Sequence, residues 1–185
     1  MYITLIRHPP IDHHPDQQGR CYGRLDYLPC SSQLDTAQQA LADYADQPII
    51  CSPAQRCLLL AQRLSQQVQI DPAWQELDFG QWEGLAWDDI PRAQLDDWAA
   101  DIWHYRVGQT GETAAEMWQR IESAIDRLKH STQQHMLSAH LPIQAPIIIT
   151  HAGVIRMLLA HYGHIDASLR WTAPILYATP YTLEI

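Results

Sequence analysis

No apolar run in the 185 residues is long enough to cross a bilayer as a helix, so no membrane-spanning segment is expected. The one apolar stretch near the N-terminus, Tyr2 to Ile6, is cut short by Arg7-His8 and then by Pro9-Pro10. That pattern argues against a signal peptide and makes the cytoplasm the expected compartment. Cysteine is sparse and unpaired in pattern. Cys21, Cys30, Cys51 and Cys57 form no CxxC and stand at no zinc-finger spacing from a histidine, so a structural zinc is not expected. A disulfide framework is not expected either in a chain of this size and setting. Reduced thiols follow, with Cys51 buried as a small hydrophobe. Positive charge is scarce: 12 Lys and Arg face 21 Asp and Glu, for a net charge of −9. Nucleic acid and anionic membranes are poor partners for such a chain. An anionic substrate would require the few cations to be concentrated in one place.

What is present describes an ordinary globular protein, with 46% apolar and 18% charged residues and length for one domain with a small lid. Tyr2 to Ile6 reads as a strand, followed by a loop to about Leu34 rich in Pro, Gly, Asp and His. Thr36 is placed to cap a helix running through Ala45, with Ala37, Ala40, Leu41 and Tyr44 at helical spacing. Pro48 to Cys51 reads as a second buried strand. Ser52-Pro53 then signals a helix start, with Leu60, Ala61 and Leu64 on its apolar face to about Ser65. Ile147 to Thr150 is a third strand, leading directly into His151-Ala152-Gly153 and an apolar helix over Val154 to Ala160. Two further short strands are expected near Ile175 to Ala178 and Thr182 to Ile185. Strands alternating with helices predict a three-layer α/β/α fold with a mostly parallel central sheet. Six of the seven tryptophans fall between Trp74 and Trp118. With a helix expected from Pro91 and helical periodicity over Thr113 to Lys129, residues about 85–140 read as a helical, Trp-rich lid insertion within one domain, 1–185. No internal repeat or low-complexity tract is visible.

Three reactive residues share one structural address. His8 follows the first strand, Arg56 lies in the first turns of the helix after the second, and His151 follows the third. In open α/β sheets the ligand crevice lies outside the carboxyl ends of the strands, where helix N-termini also favour anions. Two histidines with Arg7 and Arg56 would form a compact basic pocket in an otherwise acidic protein. Imidazole can attack phosphorus, guanidinium groups bind phosphate oxygens in bidentate fashion, and a nearby carboxylic acid can protonate a leaving oxygen.

These segments resemble the histidine phosphatase, or phosphoglycerate mutase-like, superfamily over most of the chain. Leu5-Ile6-Arg7-His8-Pro9 is similar to the family's Arg-His-Gly signature, which implies His8 as the phosphorylated nucleophile and Arg7 as a phosphate clamp. Ser52-Pro53-Ala54-Gln55-Arg56 resembles its Ser-Pro-Leu-x-Arg segment and implies Arg56 as a second clamp. Glu76-Leu77-Asp78-Phe79-Gly80-Gln81-Trp82-Glu83-Gly84 resembles the block whose first carboxylate is the general acid, here Glu76. Gly111-Glu112-Thr113 is similar to a family helix start, and Thr150-His151-Ala152-Gly153-Val154-Ile155-Arg156 to its second histidine motif, which sets His151 against the phosphate. Gly19-Arg20-Cys21-Tyr22-Gly23-Arg24-Leu25-Asp26 most resembles the alpha-ribazole phosphatase branch, whose members act on alpha-ribazole 5'-phosphate in assembly of the cobalamin lower ligand. Tyr22 and Arg24 are candidate substrate contacts, with Arg24 equally suited to pairing with Asp26.

The pattern departs from the family at Pro9, where glycine is usual, so that an N–H donor and conformational latitude are lost. It departs again at Leu60, where threonine is usual, and in lacking the asparagine beyond the nucleophile, whose place His13 or His14 could take. Asp78 and Glu83 compete with Glu76 for the acid role, and Glu83 alternatively accepts backbone N–H bonds in a turn. His130, His135 and His140, five residues apart, do not stack on one helix face as metal ligands would and are expected at the surface, as are His161 and His164. The resemblance implies a metal- and cofactor-independent phosphomonoesterase, monomeric or homodimeric, acting on a small-molecule phosphomonoester. Other readings are a broad or sugar-phosphate phosphatase, a mutase that retains its phosphohistidine, and a non-catalytic phospholigand-binding protein disabled at Pro9.

Overall fold

The computed structural model describes residues 1–12, 19–138 and 145–185, with side chains from 133 to 138 outside the description. His13, His14 and His140, and the side chain of His135, therefore lie outside the described residues. Five strands form one sheet in the order β3-β2-β4-β1-β5. They are β1 (Tyr2–Arg7), β2 (Ile49–Cys51), β3 (Val68–Ile70), β4 (Ile147–Thr150) and β5 (Pro180–Glu184). All neighbouring pairs are parallel except β1 with β5.

The sheet is apolar on both faces, as a parallel sheet under helices must be. The two-residue alternation of strands divides the core. Ile3 and Leu5 of β1 and Ile148 of β4 pack on one side with the long helix α4 (Ala114–Ser138) and α5 (Ala152–His161). Ile6, Ile147 and Ile149 pack on the other with Leu34 and Ala37 of α1 (Ser31–Ala40) and Cys57, Leu60 and Leu64 of α2 (Gln55–Leu64). The α/β/α layering expected from the element order is therefore observed. Leu60 is fully buried in this second cluster, so an apolar residue in place of threonine is satisfied by packing.

Local expectations fared unevenly. Helix α1 begins at Ser31, one turn before Thr36, because its apolar stripe already includes Leu34; Thr36 sits mid-helix and donates to the Ser32 carbonyl. The helix stops at Ala40 and a 3-10 turn spans Ala42–Tyr44. Residues 175–178 form a loop, with Ala178 in the left-handed region at φ 48°, a conformation no strand accommodates. The edge strand β3 escaped prediction because it is three residues long and half-exposed, so it carries little hydrophobic signal.

The tryptophans pack mainly against one another. Trp74 and Trp82 are buried, and Trp82 and Trp87 both lie against Trp98 on α3 (Arg92–Ala100), at ring-centroid distances of 5.6 and 6.3 Å. Phe79 meets Trp87 edge-on at 5.7 Å. Among the described residues no helix is long and apolar enough to cross a membrane.

Candidate active site

The site is built from three adjacent strand ends. Parallel register aligns Arg7 with Thr150 and Cys51 with Ile149, so His8 and His151 leave the sheet at the same level, and Ser52 leaves it one residue earlier, level with Thr150. Two ladder bonds carry the alignment past the strands: His8 N–H donates to the Thr150 carbonyl at 3.0 Å and Ser52 N–H to the Ile149 carbonyl at 3.0 Å. Because β4 lies between β2 and β1, His151 stands between Ser52 and His8.

Both imidazoles are buried, at 2% and 1% exposure, which takes them out of water's ability to stabilise a charge. The rings meet edge-on with centroids 5.2 Å apart. His8 Nδ1 lies 2.7 Å from the Pro9 carbonyl. A carbonyl only accepts, so Nδ1 carries the proton and Nε2 is the unprotonated nitrogen of the neutral ring. Burial, then the Arg56 guanidinium, hold both histidines well below the usual imidazole range. His151 Nε2 is 2.8 Å from Ser52 Oγ and 3.6 Å from Cys57 Sγ. Burial pushes the Cys57 thiol up to about 12, so it remains protonated. All four cysteines are free, and Cys51 is buried.

Arg56 is wholly buried, and its two terminal nitrogens donate to the carbonyls of Gly23 and Leu25 at 2.6 and 2.7 Å. Arg7 donates to the Ile175 carbonyl at 2.6 Å. In each guanidinium Nε is buried without a hydrogen-bond partner.

These four side chains line one cavity of about 310 Å³ together with Glu76. Arg20 and Arg156 add positive charge to its wall, and Tyr22, Phe79 and Trp87 add aromatic surface. Glu76 is the sole acidic residue among the described lining. Its two oxygens accept the N–H groups of Leu77 and Gly153, each at 3.0 Å, the latter in the first turn of α5. A Cβ at Gly153 would overlap Glu76 Oε1, so glycine there makes room for the carboxylate. Arg120 on α4 holds the segment behind it, donating to the carbonyls of Ala73 and Glu76 and to both oxygens of Glu112.

The competing carboxylates are committed elsewhere. Glu83 accepts four backbone N–H groups, those of Gly23, Arg24, Leu25 and Phe79, at 2.8–3.2 Å. Asp78 accepts from Gly80 N–H. Arg24 is not paired with Asp26: its guanidinium bonds Gln75 and Glu112, while Asp26 accepts Gln55 N–H at 2.6 Å. Arg24 lines a smaller recess of about 100 Å³ that also reaches Glu76 and His151. Ser52, Phe79 and Arg156 lay within recognised motifs but were not singled out from sequence. Tyr177 and Arg120 offered no motif at all, since only the fold brings them here. Among the described residues no cluster of three or more His, Cys, Asp or Glu is placed to hold a metal ion. His130 is exposed, with Nδ1 2.7 Å from the Asp126 carbonyl, and His161 and His164 are exposed too.

A model of the histidine phosphatase superfamily (branch 1) matches residues 3–185. The chain belongs to that superfamily. An adenosylcobalamin/alpha-ribazole phosphatase of Escherichia coli (strain K12) is 28% identical over 130 residues, covering 66% of this chain and 59% of that protein. The match thus spans less than two thirds of the relative's length. The solved alpha-ribazole phosphatase of Shigella flexneri superposes with a TM-score of 0.77 at 25% identity, over 100% of this chain and 91% of that one. A mycobacterial glucosyl-3-phosphoglycerate phosphatase shares the fold with a TM-score of 0.76 at 21% identity, over 98% of this chain and 88% of the other. Phosphatases with differently named substrates therefore share this fold.

Proposed function

We propose that this superfamily member is a phosphomonoesterase that works through a phosphohistidine at His8. One observation carries the reading: His8 Nδ1 is committed to the Pro9 carbonyl, which leaves Nε2 with its lone pair in a cavity lined by two arginines whose Nε groups lack partners. Proline in place of glycine removes an N–H but keeps the carbonyl that sets this tautomer.

In the first step Nε2 attacks phosphorus in line, the N–P bond forms and the ester P–O bond breaks. The Glu76 carboxyl gives its proton to the departing oxygen. Arg7 and Arg56 neutralise the equatorial oxygens as charge redistributes, and neutral His151 donates a hydrogen bond without adding a further positive charge to the cavity. In the second step Glu76 takes a proton from water, the oxygen attacks phosphorus, and the P–N bond breaks to return His8 and release phosphate.

For the substrate, alpha-ribazole 5'-phosphate is the specific candidate. Support comes from the two alpha-ribazole phosphatase relatives and from Tyr22, Phe79 and Trp87, which offer flat apolar surface for an aromatic base beside the phosphate cluster. The test is phosphate release from alpha-ribazole 5'-phosphate, para-nitrophenyl phosphate and a panel of sugar phosphates. A kcat/KM for alpha-ribazole 5'-phosphate at least about tenfold above the others supports the assignment. Equal values across the panel would leave a broad phosphatase. Release from none of them, or turnover only with a bisphosphorylated primer, would sink the phosphatase reading.

A further inference from the structure

The arginine beside His8 is gripped by a part of the chain that none of the recognised motifs includes. Arg7 is the last residue of β1. Its antiparallel neighbour β5 starts at Pro180, opposite Ile6. An antiparallel partner is the one kind of strand whose lead-in arrives at the carboxyl end of its neighbour, so the loop before β5 comes to the site. Three successive parts of that loop converge on one residue. The Ile175 carbonyl accepts from Arg7 Nη1 at 2.6 Å. The Tyr177 ring covers the guanidinium face, with Cζ 3.6 Å from the ring centroid. Ala178 N–H donates to the Arg7 carbonyl at 3.0 Å.

Two observations set this loop apart from an ordinary connection. Ala178 is left-handed at φ 48° without being glycine; the other described non-glycines with positive φ, Asp46 and Gln109, are exposed, whereas Ala178 is half-buried. Strain of this kind persists where the surroundings over-determine it, and here they are the contacts to Arg7. The Tyr177 ring also reaches the nucleophile candidate: its centroid is 5.9 Å from that of His8. Next to it, burial and the neighbouring Tyr177 push the Tyr22 hydroxyl up to about 12, which keeps the Tyr22 ring neutral beside the cations.

We infer that the Ile175–Ala178 loop is a positioning clamp for Arg7, with Tyr177 as its principal residue, an inference that rests on the phosphatase reading. A guanidinium bonded at one nitrogen, covered on one face by an aromatic ring and unpartnered at Nε has little freedom left except to meet an oxyanion edge-on. Tyr177 contacts the Arg7 guanidinium and the His8 ring. It acts through Arg7 by removing the side-chain motion that binding would otherwise have to arrest.

The test separates the clamp from turnover by measuring equilibrium binding of orthovanadate and of inorganic phosphate to the whole protein, with kcat and KM taken in parallel. Tyr177→Leu should weaken vanadate binding by about tenfold and lower kcat more than it raises KM, because a mispositioned clamp fails most in the transition state. Tyr177→Phe, which keeps the ring, should stay within about twofold of the parent protein. In an Arg7→Ala background, Tyr177→Leu should have no further effect on vanadate binding. Unchanged vanadate binding in Tyr177→Leu would overturn the clamp, as would equal losses in Leu and Phe or an undiminished effect without Arg7. Should Tyr177→Leu fail to fold, Tyr177→Gln gives the same comparison at this partly exposed position. Anion binding that follows this pattern in a protein without turnover would sustain the clamp while defeating the phosphatase proposal.

Discussion

The imidazole of His8 stands edge-on to that of His151, with ring centroids 5.2 Å apart and planes inclined at 63°. Burial and the nearby Arg56 favour the neutral form of both rings, because protonating either would add a further cation beside the arginines that already line the cavity. Most of the chemistry proposed for the site follows from that neutrality.

A first consequence concerns pH. Burial, then Arg56, lower the folded-state affinity of both histidines for protons relative to an unfolded value of about 6.5. Below about pH 6.5 the unfolded chain therefore binds more protons than the folded one, and stability falls as pH falls until the lowered folded values are reached. Thermal unfolding between pH 7.5 and 4.5 should show this acid-side loss, and a His8→Ala variant should lose less. Phosphohistidine formation should persist below pH 6.5, since His8 is still neutral there. Loss of the phosphoenzyme with a midpoint at or above 6.5 would contradict the neutral nucleophile.

Replacing His8 with alanine should lower turnover by on the order of 10³-fold or more while leaving the fold intact. Acid-labile, base-stable phosphate should be trapped on the parent protein and be absent from the variant. Trapping on a residue other than His8 would refute the assignment directly.

Gly153→Ala probes Glu76 from behind. A Cβ at this position would overlap Glu76 Oε1 and displace the carboxylate from the Gly153 N–H. Alanine is a better helix former than glycine, so the helix itself gives no reason for damage. The expected result is a loss of about 10- to 100-fold in kcat with an alkyl phosphate, whose departing alkoxide needs a proton, and a smaller loss with para-nitrophenyl phosphate, whose nitrophenolate leaves with little help from an acid. Undiminished kcat would remove Glu76 from the acid role.

Glu83 should matter for stability. Its carboxylate gathers four backbone N–H groups from residues 23, 24, 25 and 79, and the carbonyls of Gly23 and Leu25 in turn hold Arg56. Glu83→Ala should cost about 2–4 kcal/mol in denaturant unfolding, with activity lost in parallel. Full stability would mean that the 23–25 loop is held by other contacts.

How much of this was legible from residues alone varies with the range of the interaction. The strands β1, β2 and β4, the helices after β2 and β4, and the gathering of His8, Arg56 and His151 could all be read from short apolar runs ending in reactive residues. Those signals are local: a buried strand must be apolar, and the residue after it leaves the sheet at its carboxyl end. The short edge strand β3 and the start of α1 were missed or misplaced because three half-exposed residues, or one extra helical turn, change little in sequence pattern.

By itself, then, the sequence determined the layered fold, the superfamily and the reactive groups at the strand ends, all encoded within stretches of a few residues. Only the tertiary structure decided which carboxylate faces the cavity, because Glu76, Asp78 and Glu83 differ in their backbone partners and not in chemical type. It alone decided the tautomer of His8, set by the geometry of the Pro9 carbonyl, and the partner of Arg24, which is Glu112 and not nearby Asp26. It also brought Tyr177 against Arg7 across 170 positions of chain, through the antiparallel pairing of β5 with β1. Contacts between distant segments leave no periodicity or spacing to read; they exist only once the sheet has fixed which strand ends lie side by side.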